Sequence, residues 1–117
     1  MHHRLPIHRK GRELLKLAFL IQQHMLRGQK RLLGEKITLL CIEMVDLMAI
    51  ANASRGELRA QAIRDVLQRV RTLETLLQVG HELKAVTTPA WAKAIELLSD
   101  IGRQGGGWLK SAKAPAV

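Results

Sequence analysis

The sequence predicts an all-α fold, an antiparallel up-down four-helix bundle. Three observations predict it. Apolar residues recur at steps of three and four along most of the chain, and nowhere do they alternate as in a half-buried strand. The 117 residues include one Phe, two Trp and no Tyr, and they lack β-branched runs, which argues against a sandwich or barrel. Turn signals at Gly28, Asn52–Gly56 and Thr87–Pro89 cut the chain into four segments. A chain this long makes one domain and buries roughly two thirds of its unfolded surface. The 47% apolar content is globular. The expected organisation is a disordered basic N-terminus over 1–8, a bundle over 9–111 and a disordered tail over 112–117.

The first helix is predicted from about Arg9 to Met25. Leu14, Ala18, Ile21 and Met25 form its apolar stripe, with Leu15, Phe19 and Leu26 beside it. At about 100° per residue, Arg9, Arg12, Lys16 and Gln23 fall on the opposite side. A basic loop follows, Arg27-Gly28-Gln29-Lys30-Arg31. The second helix, about Lys30 to Ala51, buries Leu33, Ile37, Leu40, Cys41, Met44, Val45 and Met48. Glu35, Lys36, Glu43 and Asp46 lie on its other side, and Leu32, Leu39 and Ile42 fall among them. Three aliphatics in a charged face point to a second buried surface, a subunit interface.

Ser54 with Glu57 resembles a capping box opening the third helix, about Arg55 to Lys84. Ile63, Val66, Val70, Leu73, Leu77 and Gly80 form a bundle seam along it. Arg64 and Arg71 lie roughly opposite that seam, and Asp65 and Arg69 can pair at i,i+4. Thr87-Thr88-Pro89 supplies a Thr N-cap and a Pro at the first position of the fourth helix. Its stripe reads Trp91, Ile95, Leu98, Gly102, Gly105 and Trp108 or Leu109. Interior helical glycines cost ~1 kcal/mol each relative to Ala. Gly102 and Gly106 either admit a neighbouring backbone within a continuous helix, or the helix ends near Gln104 and the glycines form a joint.

Charge is the functional signal. The net charge is +9, and residues 1–31 hold eight Lys/Arg against Glu13 alone. That asymmetry favours a polyanionic partner. Arg9, Lys10, Arg12 and Lys16, with the Arg27, Lys30 and Arg31 loop, are the candidate nucleic-acid contacts, and Arg64 and Arg71 a second set. If the first two helices are antiparallel, stripe and loop are near neighbours. Phe19, Trp91 and Trp108 read as core or interface, so contact is expected to be phosphate-directed with little sequence readout.

Enzymatic chemistry finds no support. Cys41 sits on an apolar face, where burial makes a thiol inert, and a lone cysteine forms no internal disulfide. The histidines form neither HExxH nor a Glu-x-x-His pair. Glu74 and His81, a heptad apart, do not make a metal site, and Met1-His2-His3 is read as solvated terminus. Gly105-Gly106-Gly107 lacks the strand and Lys-Ser/Thr of a P-loop. Neither a cofactor nor a small-molecule substrate is expected. With no apolar run of ~18 residues and no signal peptide, no membrane partner is expected and the cytoplasm is the expected location.

A resemblance sharpens these expectations. Gly102-Arg103-x-x-Gly106-Gly107-Trp108-Leu109-Lys110-Ser111 resembles the closing GRxxGGW(I/L)KS signature of accessory variability determinant (Avd) proteins of diversity-generating retroelements. Arg31-Leu32-Leu33-Gly34-Glu35 is similar to the family's RxxLGE element, and Thr88-Pro89 matches as well. The resemblance spans about residues 10–111. Gln104 and Gly105 stand where the family usually has large apolar residues, and a proline common in its first loop is absent. The resemblance implies a basic four-helix bundle assembled as a ring-like homopentamer, with no catalysis of its own. Its implied partners are reverse transcriptase and template RNA or cDNA, in support of mutagenic reverse transcription. Five chains of +9 carry about +45, which favours salt-dependent binding of RNA or DNA. Leu32, Leu39, Ile42 and Trp108 are the interface candidates. Two readings compete. One is a four-helix protein of the kin group encoded in ribosomal RNA intervening sequences, binding nucleic acid without a polymerase. The other is a helical oligomer whose charge serves solubility alone.

Overall fold

The computed structural model describes residues 5–113 and is helical throughout them, apart from short connections. Helix α1 spans Pro6–His24, α2 Glu35–Ala53, α3 Gly56–Glu82 and α4 Thr88–Lys113. Between α1 and α2, a single helical turn, Arg27–Gln29, runs into a π-helical turn, Lys30–Gly34. α1 packs on α2 and α4, and α3 packs on the same two, so four helices surround one core. The body measures 53 × 21 × 18 Å.

The core is aliphatic. Leu14, Ala18, Ile21 and Met25 of the first segment, Ile37, Leu40, Cys41, Met44 and Met48 of α2, and Val66, Val70, Leu73 and Leu77 of α3 are all buried where the periodicity puts them. In α4 the inward line differs. It runs through Ala94, Leu97, Leu98, Ile101 and Gly105, while Trp91, Ile95, Gly102, Trp108 and Leu109 are only half-buried along its edge. Leu98 and Gly105 of the expected stripe do face the core, whereas Ala94, Leu97 and Ile101 take the inward places expected of Trp91, Ile95 and Trp108.

Several local expectations are corrected. α1 begins at Pro6, whose fixed φ suits the first helical position, and Ile7 and His8 are buried. Residues 5–8 therefore belong to the bundle. At the other end α4 carries residues 112 and 113. The disorder expected over 1–4 and 114–117 lies outside the described residues, as do Met1-His2-His3, Arg4 and Pro115. The capping box is absent: Arg55 is the N-cap of α3, and the Ser54 hydroxyl donates instead to the Ile50 carbonyl at 2.7 Å. Asp65 accepts from Gln61 at 3.0 Å, and Arg69 reaches across to Glu43 at 3.4 Å, tying α3 to α2. Thr87, not Thr88, caps α4, its hydroxyl accepting from the Ala90 N–H at 3.4 Å.

Arg27–Arg31 is helical rather than a loop, and the only extended backbone there is at Met25 and Leu26. Gly34, which closes the π-helical turn, is buried. A Cβ there would lie 2.8 Å from Cγ of Gln22 and 3.0 Å from Sδ of Met25. The turn thus presses on the end of α1, and Thr38 Oγ1 donates to Gln22 Oε1 at 2.7 Å alongside it. The glycine-rich end of α4 is helical through Lys113, so the joint reading falls. The close approach is at Gly105, where a Cβ would meet Leu67 Cδ2 at 2.8 Å. At Gly106 it would meet nothing within 4 Å.

Candidate nucleic-acid interface

α1 turns its inner stripe into the core, and that fixes the direction of its cations. Arg9, Arg12 and Lys16 are exposed and line one open cleft of ≈ 300 Å³ together with Glu13. None of the three makes an ion pair among the described residues. Glu13 does not neutralise them fully, because Lys93 Nζ of α4 stands 3.9 Å from its carboxylate.

Lys10 has a different environment. It leans toward α4 and lies 3.6 Å from Asp100. Asp100 also accepts a hydrogen bond from Arg103, and that bond, with the positive charge of Arg103 and Lys10, holds its carboxyl below the usual range. Lys10 therefore serves the α1–α4 contact rather than the free face.

Arg27 and Arg31 are exposed on the short helical turns, and Lys30 is half-buried. Arg31 lines a second cleft with Gly28, Leu32 and Glu35. This group does not merge with Arg9. At about 1.5 Å per residue, roughly 22 Å of helix separates Arg9 from His24, and the turn lies beyond that. The structure therefore makes two basic clusters, with Lys16 between them.

Arg64 is occupied, its Nη1 donating to Glu57 Oε1 at 2.9 Å and to Gln61 at 3.0 Å. Arg71 is exposed and makes no ion pair among the described residues. Two other side chains serve the fold. Arg59 donates to the carbonyls of Ala51 and Asn52 at 2.9 and 3.2 Å, closing the end of α2. His81 stacks on Trp91, with ring centroids 4.3 Å apart, and bonds Thr88 Oγ1 at 3.0 Å.

Phe19 is 53% exposed, so of the two places open to it, core or interface, it does not lie in the core of its own bundle. Seven residues from Arg12 and three from Lys16, it falls on the cationic side of α1, and that spacing was the signal to use. Leu32, Leu39 and Ile42 are 85%, 47% and 41% exposed. Ile50 is exposed on the same helix as Leu39 and Ile42, so α2 is apolar on its outer as well as its inner side. Trp108 instead packs against both clusters of its own core.

A cleft of ≈ 350 Å³ lies between Leu17, Leu20 and Ile21 of α1 and Val86 of the α3–α4 connection. Cys41 is wholly buried, and burial pushes its thiol up to about 12. Among the described residues no cluster of His, Cys, Asp and Glu is arranged to hold a metal ion, and no helix is long and apolar enough to cross a membrane. The chain matches no protein-family model and no curated protein.

Proposed function

We propose that this protein is a non-enzymatic, basic adaptor of a diversity-generating retroelement. It holds template RNA or cDNA on the outer face of α1 and hands it to a reverse transcriptase. The observation that carries the nucleic-acid part is the sorting of its cations. Lys10, Arg64, Arg69, Lys93 and Arg103 pair with carboxylates, whereas Arg9, Arg12 and Lys16 make no ion pair among the described residues and share a cleft with Glu13 alone, which leaves an excess of positive charge there uncompensated. Uncompensated charge on a rigid helix favours phosphate, whose counterions it releases.

The reverse-transcriptase partner rests on the likeness of 102–111 and 31–35 to the Avd elements. An antiparallel up-down bundle is supported by contact register. Gly11 lies against Val45 and Met48, near the end of α2, and Gly34 lies against Gln22 and Met25, near the end of α1. Assembly as a homopentameric ring is supported by the aliphatics left outside on Leu32, Leu39 and Ile42. Co-purification with a reverse transcriptase of the proposed retroelement, and template-dependent cDNA synthesis only when both are present, are the expected results. Equal synthesis without this protein refutes the adaptor role. Nucleic-acid binding with no polymerase association leaves the ribosomal-RNA-linked reading standing.

A further inference from the structure

We propose that Phe19 is a base-stacking platform and that the outer face of α1 is built for single-stranded rather than duplex nucleic acid. The inference rests on the nucleic-acid reading above and adds to it the form of the ligand. Of the chain's three Phe and Trp side chains, Trp91 and Trp108 are half-buried against the core, and Phe19 alone is exposed. An exposed phenyl ring is costly to leave in water, and its own chain leaves about half of it uncovered.

Its neighbours toward the outer face are polar. At about 100° per residue, Arg12 lies about 20° from Phe19 around the helix, Gln23 about 40° and Lys16 about 60°. Leu20, the other exposed apolar residue of α1, points about 100° away, with Lys16 and Gln23 between. On its other side Leu15, four residues earlier and about 40° away, is half-buried against the core. The ring therefore stands at the border of the cationic stripe, and Lys16 and Gln23 separate it from Leu20, so the two exposed apolar side chains of α1 do not join into a broad apolar patch.

That combination is how sequence-tolerant single-strand binders work. Cations track the phosphates, and an aromatic face stacks on a base. The Gln23 amide, both donor and acceptor, lies within reach of the same base's edge. A ring on a helix reaches the bases of a duplex only by wedging between base steps and unstacking them, which costs free energy. A strand with splayed bases uses Phe19 and the cations together without that cost.

The test uses the full chain, an unstructured single-stranded RNA and a duplex RNA of equal length, titrated at two salt concentrations. Phe19→Leu is expected to weaken single-strand binding about 5- to 150-fold, the loss of one stacked base. The slope of affinity against salt should stay unchanged, because no phosphate contact is lost. Duplex binding should be unaffected, and Phe19→Trp should retain parental affinity. Circular dichroism and light scattering establish that fold and mass are intact. A change below about twofold overturns the proposal. An equal loss on duplex overturns it too, and so does a fall in assembly mass, which would make Phe19 a subunit contact. The parent protein separates the two levels. If the parent binds RNA salt-dependently and Phe19→Leu does nothing, only the stacking proposal fails. If the parent binds no RNA, both fail.

Discussion

Alanine at Gly106 should stabilise the protein, whereas alanine at Gly105, one residue away, should not. Both glycines are inside α4, which continues to Lys113. Replacing an interior helical Gly by Ala gains about 1 kcal/mol of backbone entropy and propensity. At Gly106 and Gly107 a new Cβ meets nothing within 4 Å, so that gain stands unopposed. The double variant should gain up to about 2 kcal/mol, less whatever fraying of the last turns removes. For a chain of this size each kcal/mol raises the melting temperature by roughly 4 °C. At Gly105 the Cβ comes within 2.8 Å of Leu67 Cδ2 and 3.8 Å of Ile7 Cδ1. Leu67 must shift, and the displaced packing offsets the propensity gain. Urea unfolding followed by circular dichroism at one protein concentration measures the difference, with equal slopes as the control. If Gly106→Ala gives no gain, or if Gly105→Ala stabilises more, α4 is not the continuous helix described or its packed face is misassigned.

Leu73→Ala should cost about 2–5 kcal/mol in the same assay, because the side chain is fully buried between helices; a loss under about half a kcal/mol would place the α3 face wrongly. Leu39→Glu should lower the mass seen by light scattering while helicity is kept, and a parent that is already monomeric at micromolar concentration would remove the interface assignment. Cys41 should resist thiol reagents until the protein unfolds. Its thiol, raised to about 12 in the fold, stays protonated while the unfolded chain loses the proton above 9.0. The folded state then binds more protons, so stability should fall as pH rises through that window, and less so in Cys41→Ala.

The sequence made α1, α2 and α3 readable because their large aliphatics follow the helical period and their charges do not interrupt it. In α4 only Leu98 and Gly105 of the expected stripe are buried, because Trp91, Ile95 and Trp108 are bulky yet half-buried, while Ala94, Leu97 and Ile101 do the inward packing. Nothing in Lys30–Gly34 signals a π-helical turn, since such a turn depends on the close pressure of Gly34 against Gln22 and Met25. The same division holds at the candidate interface. The exposure of Arg9, Arg12 and Lys16 follows from one helix's periodicity. The capture of Lys10 by Asp100 and of Arg69 by Glu43 requires knowing which helices touch. Ser54 and Glu57 had the spacing of a cap, but Arg64 claimed Glu57 and the Ile50 carbonyl claimed Ser54.

The central claim is that the uncompensated cations of α1 bind phosphate, and the salt dependence of RNA binding tests it most directly. Arg9, Arg12 and Lys16 replaced together by Gln should leave helicity and mass unchanged, because none of the three packs in the core or pairs with an acid. Each lost phosphate contact removes roughly 0.7–0.9 from the logarithmic slope of affinity against salt, so the triple variant should flatten it by roughly 2.1–2.7. Arg64→Gln should change the slope little, because Glu57 already occupies that guanidinium. Replacing Arg27, Lys30 and Arg31 measures the second cluster separately. A triple α1 variant that binds with the affinity and slope of the parent would contradict the account and leave the basic excess as a solubility feature.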